Sequence, residues 1–404
     1  MEYQYRNFKL TVGEPEVILR GKPYEEVGWG PYQFPSLCRT KSGAIRYTCA
    51  GPGSRDDVDG YEKSSIPFGR ISEDNGETWR EITADDEALG VPLSNGHYYY
   101  PPKPKNAFRA EWIRKYTPDI PSSGMAPWGP YPEYYDADRI PEYPVHPTAY
   151  DYDPETKKTE AFAMDIHWQH LAVAVYYPGT EREMIYPIEM LMGSMGHTMA
   201  DTDGTLYIST YQAGFSSETG KPTPYSAVKI LCSADNGRTW NYLSEILTDP
   251  ALRTEKTAGG FDGFCEPYME RMPDGSFLIL IRLGSNVPSY YARSTDHGKT
   301  WSKPEIFDKV GVYPQLLTLG CGVTLASYGR FGVYLRATSD ETGLCWEDPI
   351  DLGVPLHGQG SCCYTSMIAL DDTSALVAYS HFQYPDSDGI PKKTLLLRRI
   401  SVTK

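Results

Sequence analysis

One arginine, Arg282, sits where arginine is costly. Arg282 ends the apolar run Ile279-Leu-Ile, and Arg330 follows Ala326-Ser-Tyr328-Gly329. A guanidinium at the end of an apolar strand is unfavourable unless it meets solvent or a partner. Two such forks converging on one carboxylate grip it bidentately, which lysine cannot copy. Glu266 lies upstream in Cys265-Glu266-Pro267 and supplies the competing reading, a structural Glu–Arg pair. Tyr364, in Cys363-Tyr364-Thr365-Ser366-Met367, is one of 32 tyrosines, so a core or rim position is its plain alternative. As a nucleophile, a phenol with a pKa of about 10 needs a neighbouring base to take its proton. The loop Gly53-Ser54-Arg55-Asp56-Asp57-Val58-Asp59-Gly60 is acidic. A loop carboxylate shielded by a bound ligand is raised into the range of a general acid. Left in water, it is a solvated turn. His167, His170 and His197 show no metal-ligand spacing, so neither a metal nor another cofactor is expected. His197, ahead of Asp203-Gly204, and Asp262, four residues before Glu266, are further candidates to line a pocket.

The chain that must position these groups is punctuated by a repeat. Ser72-Glu-Asp74-Asn-Gly76-Glu-Thr78-Trp79 returns as Ser233-Ala-Asp235-Asn-Gly237-Arg-Thr239-Trp240 and as Ser294-Thr-Asp296-His-Gly298-Lys-Thr300-Trp301. Thr338-Ser-Asp340-Glu-Thr-Gly343-Leu-Cys-Trp346 is a worn copy with one residue inserted. Each reads as a hairpin turn: Asp accepts backbone N–H bonds, Gly supplies a positive φ, and Trp buries its ring. Repetition at long intervals predicts an array of similar units. The boxes are structural fasteners and not substrate contacts.

This pattern resembles the Asp-box, or BNR repeat, of the sialidase (neuraminidase) superfamily. The resemblance implies an all-β, six-bladed β-propeller in which each box joins the third and fourth strands of a blade. One domain then spans 1–404. Blade one covers 32–83, with strands at Ser36–Cys38, Ala44–Ala50 and Ile66–Ile71. Blade two covers 85–187 and holds a long Tyr/Pro-rich insertion, about 98–150, with Tyr152-Asp153-Pro154-Glu155-Thr156 as its worn turn. Blade three covers 190–246, blade four 264–307, blade five 312–352, and blade six runs from His357 to the end. Residues 7–20 read as a strand pair that closes against the last blade. The aromatic insertion suits stacking on sugar rings; a packing flap or oligomer contact is its alternative.

Within that family a Glu polarises a nucleophilic Tyr, and arginines hold the substrate carboxylate. The matching residues are Glu266, Tyr364, Arg282 and Arg330. The blade-one loop carries the family's acid/base Asp, for which Asp57 and Asp59 both qualify, with Arg55 beside them. The sialidases are a recognised Tyr-nucleophile exception among glycosidases. The chain departs from the family at its opening signature, aromatic-Arg-Ile-Pro-Ser-Leu. Here the segment is Tyr32-Gln33-Phe34-Pro35-Ser36-Leu37, and Gln33 replaces the third arginine. The resemblance thus implies an exo-glycoside hydrolase removing a terminal, acidic sugar from an oligosaccharide or glycoconjugate. The alternatives are a lyase or neutral-sugar glycosidase on the same fold, or a non-catalytic carbohydrate-binding propeller.

Composition is consistent with this. Aromatic residues at 13%, with 37 Gly and 33 Pro, suit many short strands and tight turns. A net charge of −15 argues against nucleic acid and polyanionic surfaces as partners, and leaves room for a small anion in a locally basic pocket. No apolar run is long enough to predict a membrane-spanning helix. The eight cysteines include no C-x-x-C pair and read as free thiols. MEYQYRNFKL lacks the plan of a signal peptide, so the expected location is cytoplasmic, or secreted or periplasmic with a signal already removed.

Overall fold

The computed structural model describes residues 1–52, 68–102, 110–126, 129–141, 143, 146–193, 195–356 and 360–404. Strand accounts for 48% and helix for 6%, so the chain is all-β. It divides into two compact units.

The first unit comprises Met1–Leu89, Tyr268–His297 and Ser302–Lys404. Its sheets are antiparallel meanders. One joins Ser36–Arg39, Ile45–Thr48, Gly69–Ser72 and Arg80–Glu81. Another joins Phe277–Gly284, Ser289–Ser294 and Glu305–Asp308. A third joins Val312–Thr318, Thr324–Gly329, Val333–Thr338 and Ile350–Asp351. The last is built on Thr365–Asp371, Ser374–Pro385 and Pro391–Thr403. Lys9–Val12 and Glu16–Arg20 both pair with Pro391–Thr403, the docking expected of residues 7–20. Neighbouring meanders are tied through their first strands. Leu37 N donates to Ser366 Oγ at 2.9 Å, and Met367 N donates to Gln315 Oε1 at 3.1 Å. Between the sheets lies an apolar core that includes Leu325, Leu335, Val377, Tyr379 and Leu396. Each such side chain contributes roughly 1.5–3 kcal/mol on burial.

The second unit comprises Gly90–Pro267 and Gly298–Trp301. Val91–Pro92, Tyr98–Tyr100, Thr148–Asp153 and Lys158–Ala163 form one meander. His197–Ala200, Leu206–Phe215, Pro222–Ser233 and Thr239–Ile246 form another, with Asp165–His167 added in parallel. The segment read as a loop over about 98–150 has regular structure at both ends, because Tyr98–Tyr100 and Thr148–Asp153 are paired strands. Inside it, Glu133–Asp136 pairs with Ala172–Tyr176, which in turn pairs with Met184–Ile185. Sequence reading missed this three-stranded sheet, whose strands are short and separated by prolines and turns.

The boxes close the hairpins between third and fourth strands. Asp74 Oδ1 accepts from Thr78 N at 2.8 Å, and Asp235 Oδ1 accepts from Thr239 N at 2.8 Å. Gly76 and Gly237 take φ of 90° and 83°, which a side chain would resist. Trp240 is fully buried and donates to Gly237 O at 2.9 Å. In the worn copy Asp340 Oδ2 accepts from Leu344 N at 3.0 Å, as in the other boxes, and also from Cys345 N at 2.9 Å, one place on. The turn suspected at Tyr152–Thr156 uses the same device, with Asp153 Oδ1 accepting from Glu155 N at 2.8 Å.

Candidate functional site

In the first unit Arg282, Arg330 and Tyr364 each lie at a strand end. Arg282 is on Phe277–Gly284, Arg330 directly follows Thr324–Gly329, and Tyr364 directly precedes Thr365–Asp371. In a strand otherwise buried throughout, Arg282 alone keeps partial exposure. Arg330, Tyr364, Ser285 and Tyr313 are likewise half-buried beside buried neighbours, as expected of groups lining a concavity.

The two guanidiniums converge. Arg330 Nη1 donates to Ser285 Oγ at 2.7 Å, and Arg282 Nη2 donates to the same oxygen at 3.2 Å. Arg330 Nη2 also reaches Cys362 O at 3.5 Å. Both positive charges act on the Cys363 thiol, yet burial outweighs them and pushes it up to about 12, so this cysteine stays a neutral thiol. Tyr364 follows. Its ring stacks on Tyr313 with centroids 4.2 Å apart and planes 5° apart, and Phe34 meets it edge-on at 5.0 Å. Among the described residues no carboxylate lies within ion-pair distance of Arg330.

Backbone geometry marks the same residues. Outside the box turns, bulky residues with positive φ include Tyr32 (55°), Phe34 (57°), Tyr313 (45°) and Cys363 (67°). Such conformations cost about 1–3 kcal/mol each and persist where the surroundings hold them. Gly329 is needed for space: a Cβ there would fall 2.3 Å from Cys363 Cβ.

Gln33 is fully buried. Its Oε1 accepts from Lys393 Nζ at 2.9 Å. Burial likewise raises Glu270, on the strand Phe261–Arg271 and in the first unit, to about 8, so it holds its proton at neutral pH. Ser285, Tyr313, Glu270 and Lys393 were not singled out from sequence. The only prior signal was Lys393 standing at the head of an apolar strand.

Glu266, His197 and Asp262 belong to the second unit. Glu266 is half-buried with φ of 44°, and Asp262 is exposed. His197 faces Ser209 across the sheet, and burial pushes its pKa down to about 4, leaving a neutral imidazole. Asp57, Asp59 and Arg55 lie outside the described residues. One group with metal-ligand chemistry appears among the described residues: Asp136, Asp138 and His170. His170 Nδ1 is 2.8 Å from Asp136 Oδ2, so the cluster also stands as a hydrogen-bonded turn without an ion. All eight cysteines are free, Cys345 alone being exposed.

The BNR/Asp-box repeat family matches residues 292–303, which contain the whole of the third box. No curated protein sequence matches the chain. Among solved structures, a protein of unknown function from Dyadobacter fermentans DSM 18053 aligns over 98% of this chain and 99% of its own, at 16% identity and a TM-score of 0.57. The Hadza microbial sialidase Hz136 aligns over 92% of this chain and 65% of its own, at 15% identity and 0.48. An α-L-arabinanase from Penicillium chrysogenum aligns over 96% and 98%, at 13% identity and 0.48. At these identities the likeness speaks for the fold alone. Asp boxes thus fasten successive meanders, and the third of them is a BNR/Asp-box repeat by its family match.

Proposed function

We propose that this protein is an exo-acting glycoside hydrolase that removes a terminal, acidic sugar from a glycan. The observation that carries the proposal is the meeting of Arg282 and Arg330 at Ser285 Oγ, beside the turn that presents Tyr364. A carboxylate replacing or joining that hydroxyl would receive two charge-assisted forks. Tyr364 would then attack the anomeric carbon. By the family resemblance, Glu266 takes its proton, and Asp57 or Asp59 protonates the leaving oxygen and then activates water. The same reading takes the meanders as six blades of one propeller domain over 1–404, with the Tyr/Pro-rich insertion in blade two. A neutral-sugar glycosidase is the second reading, and Gln33 favours it, because an amide cannot supply the third cationic contact.

The deciding experiment is a fluorogenic glycoside panel with acidic and neutral terminal sugars. Turnover of an acidic member that disappears in Tyr364→Phe is the expected result. Turnover confined to neutral sugars would select the second reading. Full activity in Tyr364→Phe would remove the nucleophile assignment.

A further inference from the structure

The second unit holds an open cleft of about 480 Å³, none of whose lining residues the proposed reaction uses. Strand alternation builds its first wall. On Ala172–Tyr176, Val173 and Val175 enter the core, so Ala172, Ala174 and Tyr176 face the other way, into the cleft. Tyr134 pairs directly with Ala174 and shares that face, while Tyr135 is buried opposite Val173. Alanine at 172 and 174 leaves open a space that larger side chains would fill. Tyr211 and Gln212, on Leu206–Phe215, belong to the facing wall. There the register slips between Gln212 and Gly214, a bulge of the kind that re-aims side chains beside functional sites. Gly214 takes φ of 113°, and a Cβ there would fall 2.7 Å from Ala172 Cβ. Gln212 ties the walls together. Its Oε1 accepts from Ala172 N at 3.0 Å, and its Nε2 donates to Ala172 O.

Four tyrosines, Tyr134, Tyr176, Tyr186 and Tyr211, thus line one cleft beside the apolar Leu191 and Met195, and each of the four is half-buried. The rings of Tyr176 and Tyr186 lie 4.4 Å apart at 36°. Among the described residues no charged side chain lines the cleft, in a chain whose net charge is −15. Burial pushes the Tyr134 phenol up to about 12 and raises Tyr176 as well, so neither brings an anion. An ion entering here would lose water and meet no counter-charge. A wholly apolar ligand would take water from the phenol hydroxyls and return no hydrogen bond. Each phenol offers a ring face and a hydroxyl that can donate or accept. The matching ligand carries C–H faces and neutral hydroxyls together, which is the surface of an uncharged sugar ring.

We propose that this cleft is a binding site for a neutral saccharide ring, built wholly by the second unit. It shares no residue with Arg282, Arg330 and Tyr364, and it requires neither turnover nor an acidic group. Tyr134 comes from the Tyr/Pro-rich stretch at about 98–150, so the cleft also gives that insertion a task. The walls are fixed by sheet pairing and by the Gln212 clamp, so little ordering opposes a ligand that enters.

Calorimetric titration of the full chain tests this directly. The probes are the methyl glycosides of glucose, galactose, mannose and arabinose, each up to about 50 mM. Glucuronic acid is the charged control, and cyclohexanol, a ring stripped of all hydroxyls but one, is the apolar control. At least one neutral glycoside is expected to bind, and more tightly than both controls. Ala174→Leu fills the cleft and should weaken that binding by roughly tenfold or more, while melting close to wild type. Tyr176→Phe keeps the ring and removes the hydroxyl. It should weaken binding several-fold with melting unchanged, and it carries the test if Ala174→Leu does not fold. The proposal is overturned if no neutral glycoside binds, if either control binds more tightly, or if binding survives intact in a folded cleft variant. Binding lost in Arg330→Ala would place the sugar at the other site and overturn it too. Calorimetry reads the cleft whether or not glycosides are cleaved, so a lack of turnover fails the hydrolase reading alone.

Discussion

Arg282 and Arg330 meet at a single hydroxyl, Ser285 Oγ, which accepts from the first at 3.2 Å and from the second at 2.7 Å. Two guanidiniums so close repel each other, and partial burial strengthens the repulsion. The shared hydroxyl is neutral and orients both forks, and an anion at that point would also offset their charge. The proposed function uses this convergence to hold an anionic group. Arg330→Lys keeps the charge and loses the planar fork. It should lower kcat/KM for an acidic-sugar glycoside by roughly tenfold or more, with little change in melting temperature. Steady-state kinetics across the panel checks this, and wild-type kinetics in Arg330→Lys would contradict it.

Tyr364 offers a cleaner separation of chemistry from packing. Its ring is held by the Tyr313 stack and the Phe34 edge, contacts worth about 0.5–1.5 kcal/mol each that phenylalanine would keep. Tyr364→Phe should therefore melt with wild type while turnover falls by roughly a thousandfold or more. Tyr313→Ala removes the stack and should lower both stability and rate. A Tyr364→Phe protein that melts far below wild type would show the phenol oxygen to be a structural group.

Gly329 connects the two. An alanine there would place its Cβ 2.3 Å from Cys363 Cβ and 2.8 Å from Gly332 O. Neither neighbour is the free end of a flexible chain. Gly329→Ala should cost about 1–3 kcal/mol of stability, measured by urea unfolding. Because Cys363 carries Tyr364, the surviving folded fraction should also turn over more slowly than wild type.

The sequence was legible where local chemistry dictates geometry. The boxes at Ser72–Trp79 and Ser233–Trp240 announced their hairpins, because Asp, Gly and Trp each have one job in a tight turn. Arg282 stood out as a charge at the end of an apolar run, and its partial exposure bears out that oddity. What escaped reading depends on contacts distant in sequence. Lys392 and Lys393 look alike on paper, yet Lys392 pairs with Asp386 at 2.8 Å while Lys393 is buried against Gln33, 360 residues away. Ser285 is an ordinary turn serine until two arginines arrive from different strands. Positive φ at Phe34, Tyr313 and Cys363 leaves no mark in composition, because tertiary packing imposes it on residues that resist it.

Two buried groups of the first unit give the pH profile a testable shape. Glu270 is raised from 4.5 to about 8 by burial, so between those pH values the folded protein holds a proton that the unfolded chain has lost. Its contribution to stability is fully present below 4.5 and is lost as pH rises through about 8. Lys393 is lowered from 10.5 to about 8, also by burial, so between those values the unfolded chain holds the extra proton. Its contribution has the opposite slope: the penalty of the buried ammonium is complete at pH 7 and is relieved as pH rises from about 8 to 10.5. Together the two place a minimum near pH 8. Urea unfolding at intervals from about pH 5 to pH 10 reads both slopes as differences between variant and wild type. Glu270→Gln should remove the fall on the acid side, so the variant gains on wild type as pH rises from 4.5 to about 8. Lys393→Met should remove the rise on the basic side. It should also exceed wild type by about 1–3 kcal/mol at pH 7, since it replaces a buried cation with an apolar chain of similar length. A Lys393→Met protein less stable than wild type at pH 7 would mean that the bonds to Gly28 O and Gln33 Oε1 outweigh the burial of the charge.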